Sequence, residues 1–106
     1  MRGYVALGPV AALLLFSPPA AAAPRTHLVV IEKMRFGSPP ADLRTGDIIV
    51  WENRDIFRHT ATAKDGSFNV DLPAGGKGRI VLQRPGTFDF TCKFHPGMRG
   101  VLRVAK

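Results

Sequence analysis

The feature that most constrains the fold of this chain is the alternation of apolar and polar residues over short runs interrupted by Gly, Pro and Asp. In residues 87–92, for example, Phe88, Phe90 and Cys92 alternate with polar residues. A period of two places every second side chain on the same face of a β-strand. Seven or so such runs, with turn residues about every 8–12 positions, predict an all-β sandwich of about seven to eight strands.

Residues 1–22 have a different character and are typical of a secretory signal peptide. A basic residue near the start precedes an apolar stretch over residues 5–16, and small residues then offer an A-x-A cleavage site. About a dozen apolar residues, interrupted by a Gly-Pro pair, fall short of the roughly 20 that a membrane-spanning helix requires. We therefore expect cleavage before Ala23, a periplasmic protein and a mature domain formed by residues 23–106.

The mature chain has 84 residues, enough for one small domain. The formal net charge of the full chain is +7, and its basic residues are scattered singly rather than gathered in a run or on a helix face. The scattered distribution argues against a nucleic-acid partner. The positive net charge favours acidic partners, whose approach would depend on salt. The sequence contains no recognisable Ser/His/Asp or paired-carboxylate arrangement, so we do not expect an enzyme.

Cys92 is the only cysteine in the chain. It cannot form an internal disulfide, which leaves a buried inert thiol, an intermolecular disulfide, a reactive thiol or a metal ligand. The neighbours favour the metal ligand, because His95 and Met98 follow at intervals of three residues. Each interval spans at most about 10 Å, and Pro96 and Gly97 suit a turn that would bring the three side chains to one ion.

A second imidazole is available upstream. Phe57, His59, Ala61 and Ala63 alternate with polar residues, which predicts that the imidazole of His59 points inward. Two histidines, one cysteine and a weak axial methionine form the ligand set of a blue-copper site, whereas zinc seldom recruits methionine and has no redox chemistry. The sequence therefore predicts one copper ion, alternating between Cu(I) and Cu(II). The predicted ligands are His59, Cys92, His95 and Met98.

These motifs resemble those of the cupredoxins, and within them the short-loop amicyanin and plastocyanin-like group. The similarity covers nearly all of the mature chain, and its most specific element is the C-x₂-H-x₂-M spacing. The matching stretches are residues 46–47, 51–53, the region of His59, residues 85–90 and residues 92–100. The resemblance implies a Greek-key β-sandwich that is monomeric and carries single electrons between redox partners.

The resemblance also implies roles for individual residues. His59, Cys92 and His95 would be equatorial ligands and Met98 the axial ligand. His95 would pass electrons through an apolar surface to an acidic redox protein, such as a c-type cytochrome or a dehydrogenase. The basic residues expected around this surface are Arg54, Arg58, Lys93 and Arg99.

Two points remain open at the level of the sequence. Many cupredoxins have Asn directly after the upstream histidine, where it ties the two ligand segments together, and this chain has Thr60. The same four ligands would also suit a periplasmic copper carrier that delivers or buffers the ion. The remaining histidine, His27, is interpreted as an ordinary surface residue.

Overall fold

The computed structural model describes residues 23–106 together with Gly3, Gly8 and Pro9, so the predicted signal peptide lies almost entirely outside the described residues. Over the part of the chain that is described, no helix is long and apolar enough to cross a membrane. The strands are β1 (Thr26–Glu32), β2 (Arg35–Phe36), β3 (Leu43–Arg44), β4 (Ile48–Asn53), β5 (His59–Ala63), β6 (Asn69–Leu72), β7 (Lys77–Val81), β8 (Gly86–Thr91) and β9 (Arg99–Ala105).

The strands form two sheets, with the orders β2-β1-β4-β7 and β3-β9-β8-β5-β6. Two pairings are parallel, β1 with β4 and β3 with β9, and the other pairings are antiparallel. The predicted all-β sandwich is confirmed. The described chain has nine strands rather than seven or eight because β2 and β3, each of two residues, form short pairings at sheet edges.

The core lies between the two sheets and is built from the inward faces of their strands. Trp51 is fully buried, and its ring lies 5.6 Å from that of Phe68 and 5.7 Å from that of Phe90, measured between centroids. Burial of each large apolar side chain contributes about 1.5–3 kcal/mol relative to exposure. Phe90 also lies across Gly100, its partner on β9, where a Cβ atom would clash with the ring.

The topology brings two ligand-bearing segments to the same end of the sandwich. His59 begins β5, whereas Cys92 directly follows the last residue of β8. These strands are antiparallel neighbours, with Thr62 opposite Thr91. The start of one strand therefore lies beside the end of the other, and residues far apart in the sequence meet there.

The structure corrects two expectations from the sequence. Phe57 does not share the buried face of β5, because it lies in the loop before that strand and is 53% exposed. His27 is not an ordinary surface residue either. Its side chain is only 14% exposed, and its Nε2 lies 3.0 Å from the buried carboxylate of Asp47.

Candidate metal centre

His59, Cys92 and His95 present their nitrogen and sulfur atoms to one another, with all these atoms within 4.8 Å. The two Nδ1 atoms are 3.1 Å apart, and the Sγ of Cys92 lies 3.8 Å from the Nδ1 of His59 and 3.5 Å from that of His95. A point equidistant from these three atoms lies about 2.0 Å from each, a distance typical of metal–nitrogen bonds in proteins. The donor set therefore fits a single ion in a trigonal N₂S arrangement.

The loop between β8 and β9 is closed by its own backbone. The Cys92 N–H donates to the Met98 carbonyl at 3.2 Å, and the Met98 N–H donates to the His95 carbonyl at 2.8 Å. A longer bond of 3.4 Å joins the His95 N–H to the Cys92 carbonyl. These bonds join Met98, which is 4% exposed, to both Cys92 and His95. The backbone of the loop thus holds Cys92, His95 and Met98 close together.

Asp55 orients the imidazole of His59 from the side opposite the donor cluster. Its carboxylate lies 2.8 Å from the Nε2 of His59 and also accepts the backbone N–H groups of Lys33 and Met34. Burial raises the pKa of Asp55, but the hydrogen bonds from His59 and the two amides lower it to below its ordinary value. An ionised carboxylate accepts the Nε2 proton and leaves the Nδ1 lone pair free for a metal.

The turn that binds Asp55 has an unusual backbone. Lys33 and Met34 both have positive φ, at 53° and 58°. This is the conformation of a two-residue type I′ hairpin turn, here joining β1 to β2. Both amides of the turn point to the same carboxylate. The sequence interpretation missed Asp55, although an acid four residues before a predicted ligand was an available signal.

Asn53 organises the loop that carries Asp55. It is fully buried, and its side-chain amide donates to the carbonyls of Phe57 and Leu72 at 2.8 and 2.9 Å. Its side-chain oxygen accepts the Asp55 N–H at 2.9 Å. One buried side chain therefore fixes both ends of the loop before His59, and this role was also missed from the sequence.

Thr60 links the two ligand-bearing segments. Its N–H donates to the Sγ of Cys92 at 3.3 Å, and its hydroxyl oxygen accepts the N–H of Lys93 at 2.9 Å. The residue directly after one histidine is thus bonded both to the cysteine and to the residue that follows the cysteine. A hydroxyl here supplies the connection that the resemblance led us to expect from Asn.

The donor cluster is enclosed except at His95. Cys92 and His59 are 1% and 0% exposed, whereas His95 is only partly buried. An apolar patch lies beside His95, whose ring centroid is 6.4 Å from that of Phe57. The patch consists of Ile56, Phe57 and Phe94, which are 84%, 53% and 51% exposed. The shortest route from solvent to the cluster therefore passes through the imidazole of His95.

The expected basic residues around the patch divide into two kinds. Arg58 makes a bidentate pair with Asp71 at 2.8 and 2.9 Å and lies 5.2 Å above the Phe94 ring. Arg54 is paired with a carboxylate as well. Lys93 and Arg99 are exposed, and no salt bridge joins either of them to a carboxylate of the described residues. Lys93 and Arg99 thus have no direct carboxylate partner, although Lys93 adds to the effect of Arg58 in lowering the pKa of Asp71.

Comparison with known proteins finds a matching family model and similar curated sequences. Residues 5–104 match the family model of the cupredoxin-like domain. Amicyanin from Paracoccus versutus is 32% identical over 92 aligned positions, which cover 80% of this chain and 70% of that protein. Amicyanin from Paracoccus denitrificans is 30% identical over 105 aligned positions, covering 83% and 73%.

Solved structures show the same similarity in three dimensions. A Cu(I) structure of an amicyanin variant aligns with a TM-score of 0.64 and 26% identity, covering 76% of this chain and 82% of that one. An oxidised amicyanin variant aligns with a TM-score of 0.65 and 25% identity, covering 74% and 80%.

Proposed function

The chain belongs to the cupredoxin family as an amicyanin-like member, and from this premise we propose that it is an exported type 1 copper protein that carries single electrons between larger redox proteins. We assign His59, Cys92, His95 and Met98 as the residues that would hold one copper ion. The observation that carries the proposal is the enclosed triangle of two imidazole nitrogens and one thiol sulfur. Copper, when bound there, supplies the one-electron chemistry.

The protein's own groups keep the donor atoms in place. Asp55 holds the His59 ring, the closed loop holds Cys92 and His95, and Thr60 joins the two segments. Donors held in this way have little freedom to rearrange when the charge at the centre changes. A small rearrangement favours fast electron transfer, because the barrier includes the energy of reorganising the surroundings.

Burial favours an electron carrier over the alternative of a copper carrier that delivers its ion. An acceptor protein must reach the metal with ligands of its own, but Cys92 and His59 are almost completely enclosed. An electron, in contrast, needs only the partly exposed ring of His95. Slow loss of Cu(I) to a strong chelator would support the electron carrier, whereas ready transfer of Cu(I) to an acceptor would support delivery.

We propose that the protein is a monomer. Its proposed partner is an acidic redox protein, of the c-type cytochrome or dehydrogenase class, that docks on the apolar patch beside His95. The positive charges of Lys93 and Arg99 would steer its approach. We expect the rate of electron transfer to fall as salt is added, because a Debye length of about 10 Å at 0.1 M shrinks further at higher salt. Rates independent of ionic strength would contradict this steering.

Visible absorption and electron paramagnetic resonance test the central proposal. The protein is expressed with residues 1–22, purified after export and loaded with Cu(II), and its N-terminus is identified by mass spectrometry. We expect Ala23 as the first residue, an intense thiolate-to-copper band and narrow copper hyperfine splitting. Cys92→Ser should abolish the band. A pale spectrum of ordinary tetragonal copper in the unsubstituted protein would contradict the proposal.

A further inference from the structure

A chain of hydroxyl groups leads from the ligand segments to the edge of the sheet. Thr60 and Thr62 are two residues apart on β5, and their Oγ1 atoms are 2.9 Å apart. Thr62 in turn donates to the side-chain oxygen of Asn69 at 2.8 Å. Asn69 lies on β6 directly opposite Thr62. The other end of the chain is the N–H of Lys93, which donates to Thr60.

The protons along this chain have a consistent direction. The amide of Lys93 can only donate, and the side-chain oxygen of Asn69 can only accept. Thr62 donates its single proton to Asn69, which leaves its lone pairs for the proton of Thr60. Thr60 then has its lone pairs free for the amide of Lys93. Each bond polarises the next, so a chain of this kind is strengthened along its length.

The hydrogen-bond chain includes residues adjacent to the proposed ligands. Thr60 directly follows His59, Lys93 directly follows Cys92, and the N–H of Thr60 donates to the Cys92 sulfur. Thr60 is only 4% exposed, so water cannot readily replace a lost partner of its hydroxyl. Thr62 is less buried and Asn69 is exposed. The outer end of the chain is therefore accessible to substitution while its inner end is enclosed.

We propose that Thr62 and Asn69 are positioning residues of the copper site, an inference that rests on the proposed function. Thr62 accepts the proton of Thr60, and Asn69 accepts the proton of Thr62. Together they orient the Thr60 hydroxyl towards Lys93 and so fix the bond from the Thr60 N–H to the thiolate. Hydrogen bonding at the cysteine sulfur is one of the factors that set the reduction potential of a blue-copper site. Thr62 and Asn69 thus influence the potential without contacting the metal ligands.

Thr62→Val and Thr62→Ser test the chain, with Thr87→Val as a matched control on an exposed position of β8. Hydrogen exchange of the Lys93 amide is followed by NMR in the metal-free and Cu(I) proteins, and the reduction potential is measured by spectroelectrochemistry. In Thr62→Val we expect Lys93 exchange to accelerate about tenfold or more. The potential should fall, since a weaker bond leaves more charge on the thiolate. Thr62→Ser should restore both values, and Thr87→Val should change neither.

Asn69→Ala provides a second variant that removes only the exposed end of the chain. We expect a smaller acceleration of Lys93 exchange, because water can replace the lost acceptor. Unchanged exchange and potential in both Thr62→Val and Asn69→Ala would overturn the inference, as would equal shifts in Thr62→Val and Thr62→Ser. Exchange in the metal-free protein reports on the chain even if the copper spectrum fails to appear, so the two proposals fail separately.

Discussion

Two histidine–aspartate pairs lie at opposite ends of the neighbouring parallel strands β1 and β4. Asp47 directly precedes β4 and binds the Nε2 of His27 at 3.0 Å, whereas Asp55 follows β4 and binds the Nε2 of His59 at 2.8 Å. Each carboxylate also accepts two backbone amides. Asp47 accepts those of Arg25 and Arg44, and Asp55 accepts those of the β1–β2 turn. Each end of the β1–β4 pair therefore has a carboxylate that is bonded to one imidazole and two backbone amides.

The difference between the two ends lies on the other side of each ring. The Nδ1 of His59 faces the sulfur of Cys92 and the Nδ1 of His95, supplied by the loop between β8 and β9. Among the described residues, His59, Cys92 and His95 are the one cluster of three candidate metal-binding groups of this kind. A histidine bonded to a buried aspartate is thus a structural element in itself. At His59 the β8–β9 loop adds a thiol and a second imidazole, and the three groups form the candidate metal centre.

Removal of each histidine should give the largest contrast between the two ends. In His59→Ala we expect loss of the thiolate-to-copper band and more than about 100-fold weaker copper binding, because even removal of a ligand's hydrogen-bonding partner typically costs about 10–100-fold. His27→Ala should retain the spectrum and lower only the urea midpoint of unfolding. Absorption titration and urea unfolding check both variants. A changed copper spectrum in His27→Ala would show that the two ends are not independent.

Removal of each aspartate should give a smaller contrast. In Asp55→Ala we expect about 10–100-fold weaker copper binding, since the His59 ring loses the partner that fixes its tautomer and orientation. Asp47→Ala should leave copper affinity unchanged and reduce the stability of the metal-free protein. Competition against a chelator measures the first quantity and urea unfolding the second. Equal copper affinities in Asp55→Ala and Asp47→Ala would contradict the orienting role.

We expect the smallest effect from acid, which should reduce the stability contributed by Asp47 at the His27 end of β1 and β4. Hydrogen bonds from the Arg25 amide and the His27 side chain lower the pKa of Asp47 from 3.8 to about 2. A lowered pKa in the folded state adds stability above pH 3.8, and this stability is lost as the pH falls towards 2. The gap in unfolding free energy between the metal-free unsubstituted protein and Asp47→Asn should therefore narrow over this range. A constant gap down to pH 2 would refute the assignment.

The sequence predicted the parts of the site that depend on local spacing. Cys92, His95 and Met98 lie within one short loop, so their proximity follows from chain length alone. The inward direction of His59 followed from the period of its strand. His27 shares the same parity with the buried Val29 and Ile31, so its burial was readable but was missed.

The loop before His59 could not be predicted in this way. Parity applies only where the backbone is extended, and β5 begins at His59 rather than at Phe57. The direction of Phe57 depends instead on the buried side chain of Asn53, which binds the Phe57 carbonyl and the Asp55 amide. Asn53 also donates to the Leu72 carbonyl on β6, and Asp55 accepts the amides of the β1–β2 turn, so the loop is held by segments distant in the sequence. The hydrogen bond from His59 to Asp55 was therefore identified only from the three-dimensional structure.

The position of β9 has a consequence for how the protein is made. This strand lies between β3 and β8 and contributes the buried Leu102 and Val104 to the core. A nascent chain that has not yet released residues 99–105 from the ribosome lacks an interior strand of the larger sheet. We therefore expect the larger sheet to remain incomplete until residues 99–105 have been synthesised, at about 5–20 residues per second, and released.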